Sequence, residues 1–286
     1  MRLRTITIAV LLAGTASACT RKPQDDGEIP VPVAASEGST PRPAPRVTPP
    51  PVVATDSARG RLGARPVPEP KPADAPTGLQ PLGLETEKNA RDGLLYVPES
   101  YRPGRPMPLV LVLHGAGGGP KGGLAPLRDL ADSAGLILLA PHSRGKTWDA
   151  IRGGTIGPDA GFIDRALRRV FARYDVDPQR VATAGFSDGA SYAIMLALAN
   201  GDLFRRAIAF SPGYIPAALA PVGKPRFFVS HGTKDRVLRF ENTRREVVQE
   251  LQRRGYDVRF VEFDSGHHVP PEVARTAVDW LQAYGR

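Results

Sequence analysis

A doubly wound α/β architecture, with a mostly parallel central sheet and helices on both faces, is predicted for residues 84–286 by two features of the chain. Short runs apolar on consecutive positions recur along it, as buried parallel strands require, and amphipathic segments of helical period separate them. Strand and helix alternating in this way imply right-handed crossovers and a ligand site outside the C-terminal strand ends.

The elements follow in order. Leu94-Leu95-Tyr96-Val97 reads as one arm of an antiparallel edge hairpin. Pro108-Leu109-Val110-Leu111-Val112-Leu113 and Gly135-Leu136-Ile137-Leu138-Leu139-Ala140 are strands apolar on both faces, with helical spacing over 125–134 between them. A helix over 162–174 precedes the strand at 181–184, and a helix over 190–200 follows it. Strands at 207–210 and 227–230, a helix over 241–254, a strand over 256–263 and a final helix over 271–284 complete the series. Only about 15 residues join the strands at 207–210 and 227–230, too few for a large helical cap there, so the site is expected to be open.

Residues 1–83 read differently. Fifteen of the 30 prolines fall here, as in Pro41-Arg42-Pro43-Ala44-Pro45, and aromatic residues are absent. Such a stretch offers too little buriable surface to offset the entropy of ordering, so 20–83 is expected to be a disordered or polyproline-like tether and 84–286 the folded domain. Before it, a basic Met1-Arg2-Leu3-Arg4, an apolar run over 6–13 and Ala16-Ser17-Ala18 make residues 1–18 an export signal too short to span a bilayer as a mature helix. Cys19, the only cysteine, cannot form an intramolecular disulfide.

The net charge of +9 divides into +3 over residues 1–83 and +6 over the rest. The pairs Arg168-Arg169, Arg205-Arg206, Arg244-Arg245 and Arg253-Arg254 are scattered in sequence and read as solvated helix faces, with anionic envelope surfaces as the weaker reading. No stacking aromatics interleave with them, so nucleic-acid binding finds no support.

Chemistry is concentrated in four loops, each after a predicted strand. Gly185-Phe186-Ser187-Asp188-Gly189 stands between a strand and a helix, the context in which a Gly-x-Ser-x-Gly pentapeptide becomes a sharp turn that presents its serine. Side chains at Gly185 or Gly189 would collide with neighbouring backbone. Asp235 follows the strand at 227–230, and His267 with His268 follows the strand at 256–263. The order Ser187, Asp235, His267 supplies a nucleophile, an orienting carboxylate and a base, with His267 preferred over His268, which would line the rim. His114-Gly115-Ala116-Gly117-Gly118-Gly119 follows the first central strand, and the backbone amides of Ala116 and Asp188 are the expected oxyanion donors, with His114 bracing the loop. The glycine spacing fits neither a dinucleotide site nor a P-loop. Trp148 and Tyr214 are the candidate substrate contacts, Trp148 being alternatively a loop anchor.

His114-Gly115, the pentapeptide around Ser187, His231-Gly232-Thr233-Lys234-Asp235 and Gly266-His267-His268-Val269-Pro270 together resemble the phospholipase/carboxylesterase group of α/β hydrolases, which includes acyl-protein thioesterase-like enzymes. The resemblance covers residues 94–284 and implies an α/β-hydrolase fold and serine hydrolysis of small-molecule or lipid-like esters or thioesters, without metal or cofactor. It departs at Asp188, where many members carry Gln; a carboxylate there disfavours anionic substrates. The N-terminus resembles a bacterial lipoprotein signal, which implies a diacylated Cys19 and attachment to a membrane; Ala16 stands where that signal usually has Leu, and a soluble periplasmic or secreted product is the alternative. A peptidase on the same fold and a non-catalytic envelope-binding module are the rival functions.

Overall fold

The computed structural model describes residue 56 and residues 60–87, 91–153, 156–216 and 220–283. The export signal expected over 1–18, Cys19 and most of the expected tether lie outside the described residues.

Eight strands form one sheet in the order β1-β2-β4-β3-β5-β6-β7-β8. These are β1 (Gly78–Pro81), β2 (Gly93–Val97), β3 (Met107–Leu113), β4 (Ile137–Pro141), β5 (Val176–Phe186), β6 (Arg206–Phe210), β7 (Arg226–Gly232) and β8 (Val258–Phe263). From β4 to β8 every pairing is parallel, and β1 and β2 add an antiparallel edge.

Side-chain alternation along the strands divides the core in two. Leu109, Leu111, Val181 and Ala207 point to a layer that holds α3 (Asp149–Arg152), α4 (Pro158–Arg173) and α5 (Asp188–Ala199), with the helical segment of α6 (Phe240–Asn242), a π-helical stretch Thr243–Gln249 and α7 (Glu250–Arg253). Val110, Val112, Ala182 and Ile208 point to the other layer, covered by α1 (Pro120–Leu124), α2 (Ala131–Ala134) and α8 (Pro271–Gln282). The continuous apolar runs are therefore buried on both sides, which is why they do not alternate with polar residues.

Two expectations change. The single helix expected over 125–134 is instead a turn that follows α1, a 3-10 turn Arg128–Leu130 and the short α2, which stops where Gly135 turns left-handed at φ 59°. The boundary at residue 84 also moves. β1 belongs to the sheet, and Leu62 and Ala64 are wholly buried. Composition hid this because the segment is ordered by acceptors far along the chain. The N–H of Leu62 donates to Asn200 Oδ1 at 2.8 Å, and those of Gly63 and Ala64 both donate to Asp164 Oδ1 at 2.7 Å. Arg61 and Arg65 both grip the Asp202 carboxylate, at 2.5 and 2.6 Å. Burying Leu62 adds about 2 kcal/mol of hydrophobic stabilisation.

Candidate active site

Ser187 follows the last residue of β5 and is the N-cap of α5, with φ 57° and ψ −122°. A positive φ in a residue bearing a side chain costs about 1–3 kcal/mol and persists only where its surroundings impose it. They do so here through contact. A Cβ on Gly185 would stand 2.2 Å from Gly189 O, and one on Gly189 would stand 2.2 Å from Leu113 O, so strand, turn and helix close up only with glycine at both positions. The N–H of Ser187 donates to Phe210 O at 2.9 Å, fixing the turn to β6.

The loops after β7 and β8 meet this serine. Ser187 Oγ lies 3.0 Å from His267 Nε2, and His267 Nδ1 lies 2.6 Å from Asp235 Oδ2. Asp235 is held from behind: its Oδ1 accepts the N–H groups of Val237 and Leu238 at 2.8 and 2.9 Å. Burial opposes its charge, but the Leu238 amide, the His267 imidazole and the Val237 amide outweigh it and hold the carboxyl below its ordinary range. Phe186 packs at a tilt on the His267 ring, with centroids 4.7 Å apart, so both the carboxylate and this ring limit how the imidazole can turn. Gly232 at the end of β7 lets the loops approach, since a Cβ there would stand 2.3 Å from Ser265 O.

The sequence reading passed over a further residue. His231 is wholly buried at the end of β7, with Nε2 3.1 Å from Asp235 Oδ2 and 2.9 Å from Leu238 O. Burial lowers its pKa and favours the neutral ring, which donates from Nε2 to both oxygens. Its place four residues before Asp235 was the available signal, read only as part of a motif.

The glycine-rich loop after β3 lies alongside. Ala116 is exposed, and among the described residues neither its N–H nor that of Asp188 has an acceptor. The loop is pinned by Gly117 N–H to Lys146 O at 2.7 Å and by His114. The imidazole of His114 donates from Nδ1 to Gly115 O at 2.8 Å and accepts at Nε2 from the Ser143 N–H at 3.1 Å, a bracing role that leaves no proton to transfer. The Asp188 side chain turns aside to accept the Thr147 hydroxyl at 2.6 Å.

Trp148 is not a substrate contact. It is wholly buried, donates from Nε1 to His114 O at 2.8 Å, and packs between His114 and Tyr192 with centroids 4.8 and 5.2 Å away. The indole therefore supports the loop from beneath, and the anchor alternative holds. Tyr214 is 39 % exposed on the site side, and His268 is exposed at the rim, edge-on to Phe263 at 5.9 Å. No helix occurs among the described residues between β6 and β7.

Comparison with known proteins gives a consistent fold. The model of the family described as "Putative esterase" matches residues 163–282. "Probable feruloyl esterase C" of Aspergillus flavus is 29% identical over 160 residues, which cover 54% of this chain and 58% of that protein. "Acetylxylan esterase" of Coprinopsis cinerea is 30% identical over 123 residues, covering 39% of this chain and 32% of that one. The chain thus spans less than two thirds of these relatives. Among solved structures, esterase PE8 is 23% identical with a TM-score of 0.52, covering 66% of this chain and 96% of that one. Propionate-bound esterase Est2 of Thermogutta terrifontis is 19% identical with a TM-score of 0.57, covering 73% and 94%. From its parallel sheet, its layers and these likenesses, the chain has the α/β-hydrolase fold.

Proposed function

We propose that the protein is a serine hydrolase of carboxylic esters. The observation that carries this is the continuous chain from Ser187 Oγ to His267 Nε2 at 3.0 Å and from His267 Nδ1 to Asp235 Oδ2 at 2.6 Å. Ser187 attacks the ester carbonyl as His267 Nε2 takes its proton, and Asp235 keeps the ring in the tautomer that can receive it. The free amides of Ala116 and Asp188 receive the oxyanion, an interaction worth about 3–4 kcal/mol in related chemistry. His267 returns the proton to the leaving alcohol, and water, activated by the same ring, releases the acyl group from Ser187.

The names of the matched relatives support acyl groups such as feruloyl and acetyl, and the exposed ring of Tyr214 at the edge of the site is a candidate contact for an aromatic one. The Asp188 carboxylate beside the nucleophile favours neutral over anionic esters. The motifs shared with the carboxylesterase and acyl-protein thioesterase group support thioesters as a second substrate class. Attachment to a membrane through Cys19 is part of this reading and rests on residues 1–19 of the sequence alone.

The test is labelling of the full chain by a fluorophosphonate probe and turnover of methyl ferulate and of p-nitrophenyl esters from acetate to laurate, beside Ser187→Ala. Labelling and turnover that both vanish in the variant are expected. A folded wild-type chain that takes no label and turns over no ester would sink the proposal and leave the binding-module reading.

A further inference from the structure

The two sides of Ser187 are built of different residues. On one, the His267 ring packs on Phe186, which belongs with Phe263 and Val269 to the core layer covered by α8. On the other, the first turn of α5 meets the loop after β4, α3 and the chain after β6. Thr147 donates its hydroxyl to Asp188 Oδ2 at 2.6 Å. Ser191, one turn along α5 on the same face as Asp188, is buried and accepts the N–H groups of Gly213 and Tyr214 at 3.1 and 3.4 Å. The Tyr214 hydroxyl then lies 3.5 Å from Ile151 O, and Ile151 and Ile215 pack half-buried against the core layer of α5. Burial and the charge of Asp188 raise the Tyr214 phenol above its ordinary range, so the two groups stand within electrostatic reach.

Asp188 is half-buried, and among the described residues its Oδ1 has no donor and no cation stands within ion-pair distance of the carboxylate. A carboxylate in the first turn of α5 suits the helix dipole, and Thr147 occupies one of its oxygens. Neither role uses Oδ1.

The chemistry fixes which half of an ester meets this oxygen. The leaving alkoxide must take its proton from His267 Nε2, so the alcohol half lies on the His267 side, and the oxyanion turns to the amides of Ala116 and Asp188. The acyl chain is left with the opposite side. Consecutive Cα atoms are about 3.8 Å apart, so a carboxylate one residue from the nucleophile reaches only the first few atoms of that chain.

We propose that Asp188 Oδ1 selects acyl groups carrying an O–H or N–H donor on the first carbons after the carbonyl, with Thr147 holding the carboxylate in place and Tyr214 forming the outer wall. This rests on Ser187 being the nucleophile of an ester hydrolase. It goes beyond the exclusion of anions, since a neutral acyl group without a donor is disfavoured too. Because the carboxylate is only half-buried, an unmatched ester leaves it partly hydrated. The preference expected is therefore that of one charge-assisted hydrogen bond, about tenfold to a hundredfold in kcat/KM, and not the roughly 10⁴–10⁵ of a sealed polar site.

The test uses the full chain with four ethyl esters of one three-carbon acyl chain, lactate, alaninate, 2-methoxypropionate and propionate, and with the 3-substituted propionates as a second set, each rate divided by that of hydroxide alone. In at least one set the hydroxy or amino ester should exceed the methoxy and unsubstituted esters by about tenfold or more in kcat/KM, and the larger gain identifies the donor. 2-Hydroxyethyl propionate, with its hydroxyl in the alcohol half, should show no such gain. Asp188→Ala should bring the esters together, whereas Asp188→Asn, which keeps an acceptor without the charge, should retain part of a hydroxyl gain and lose an ammonium gain. No preference in the wild-type chain, a gain undiminished in Asp188→Ala, or an equal gain from 2-hydroxyethyl propionate would overturn the proposal. Should the Asp188 variants not fold, Thr147→Val decides the matter: a preference reduced severalfold supports it, and an unchanged one overturns it. Turnover of every ester without preference strikes this inference alone, whereas no turnover and no fluorophosphonate labelling overturn the hydrolase reading with it.

Discussion

His231 Nε2 lies 3.1 Å from Asp235 Oδ2, the same carboxylate oxygen that His267 Nδ1 approaches to 2.6 Å. One oxygen is thereby fixed between two imidazoles, one wholly buried and one open to the serine. If His231 positions Asp235, His231→Leu should lower kcat about tenfold with KM little changed, the loss of one buried hydrogen bond to a charged group. His231→Gln, which can still donate an N–H, should recover part of it. A purely structural role would lower the amount of folded protein and leave kcat per folded molecule unchanged.

Removing the orienting carboxylate should cost far more. Asp235→Asn keeps the shape but offers the wrong hydrogen-bonding partner to Nδ1, and a fall in kcat of about 10⁴ is expected at neutral pH. Steady-state rates of the two proteins with one p-nitrophenyl ester check this.

The elbow predicts a steric failure. Gly189→Ala must push a methyl group against Leu113 O at 2.2 Å and His114 O at 2.6 Å, in backbone that has no room to move. A loss of at least about 3 kcal/mol is expected, read as a fall in the urea midpoint or as insoluble protein. A variant with wild-type stability would show that this turn is looser than its contacts imply.

Acid should unfold the protein through its histidines. Burial, with Arg91, the neighbouring His114 and Arg144, pulls His142 down to about 4, and burial lowers His114 and His231 as well. The unfolded chain binds these protons near pH 6.5, whereas the native chain resists them. The stabilisation is therefore complete above about pH 6.5 and is lost as pH falls towards 4. Urea midpoints at pH 7.5, 5.5 and 4.5 should fall in that order, and His142→Gln should flatten the decline.

The clamp on the N-terminal segment should be separable from the core. Asp202→Asn removes the charge that Arg61 and Arg65 share, and because all three are partly exposed the cost should be only about 1 kcal/mol. Limited proteolysis should nevertheless begin within 60–77 in the variant and spare the wild-type chain there.

The sequence was most legible where local chemistry and global fold require the same residues. Buried parallel strands cannot be written without apolar runs, and a strand-to-helix reversal of this tightness cannot be written without Gly185 and Gly189, so the sheet and the meeting of Ser187, Asp235 and His267 could be expected. What escaped depended on pairings distant in sequence. Leu62 and Ala64 are ordered by Asn200 and Asp164, about a hundred or more residues away, and nothing in a proline-rich composition announces such partners. Trp148 was ambiguous because a loop after a central strand can turn its indole either to the ligand or beneath the neighbouring loop.

The stacking of Trp148 between His114 and Tyr192 also makes the molecule a natural optical instrument. The chain has two tryptophans, and they are packed on opposite faces of the sheet, Trp148 under the glycine-rich loop and Trp280 on the inner side of α8. With Trp280→Phe, the remaining emission would come from an indole whose Nε1 proton is tied to the carbonyl of His114. Its intensity and wavelength would then follow the loop that bears Ala116 during turnover, without an added dye.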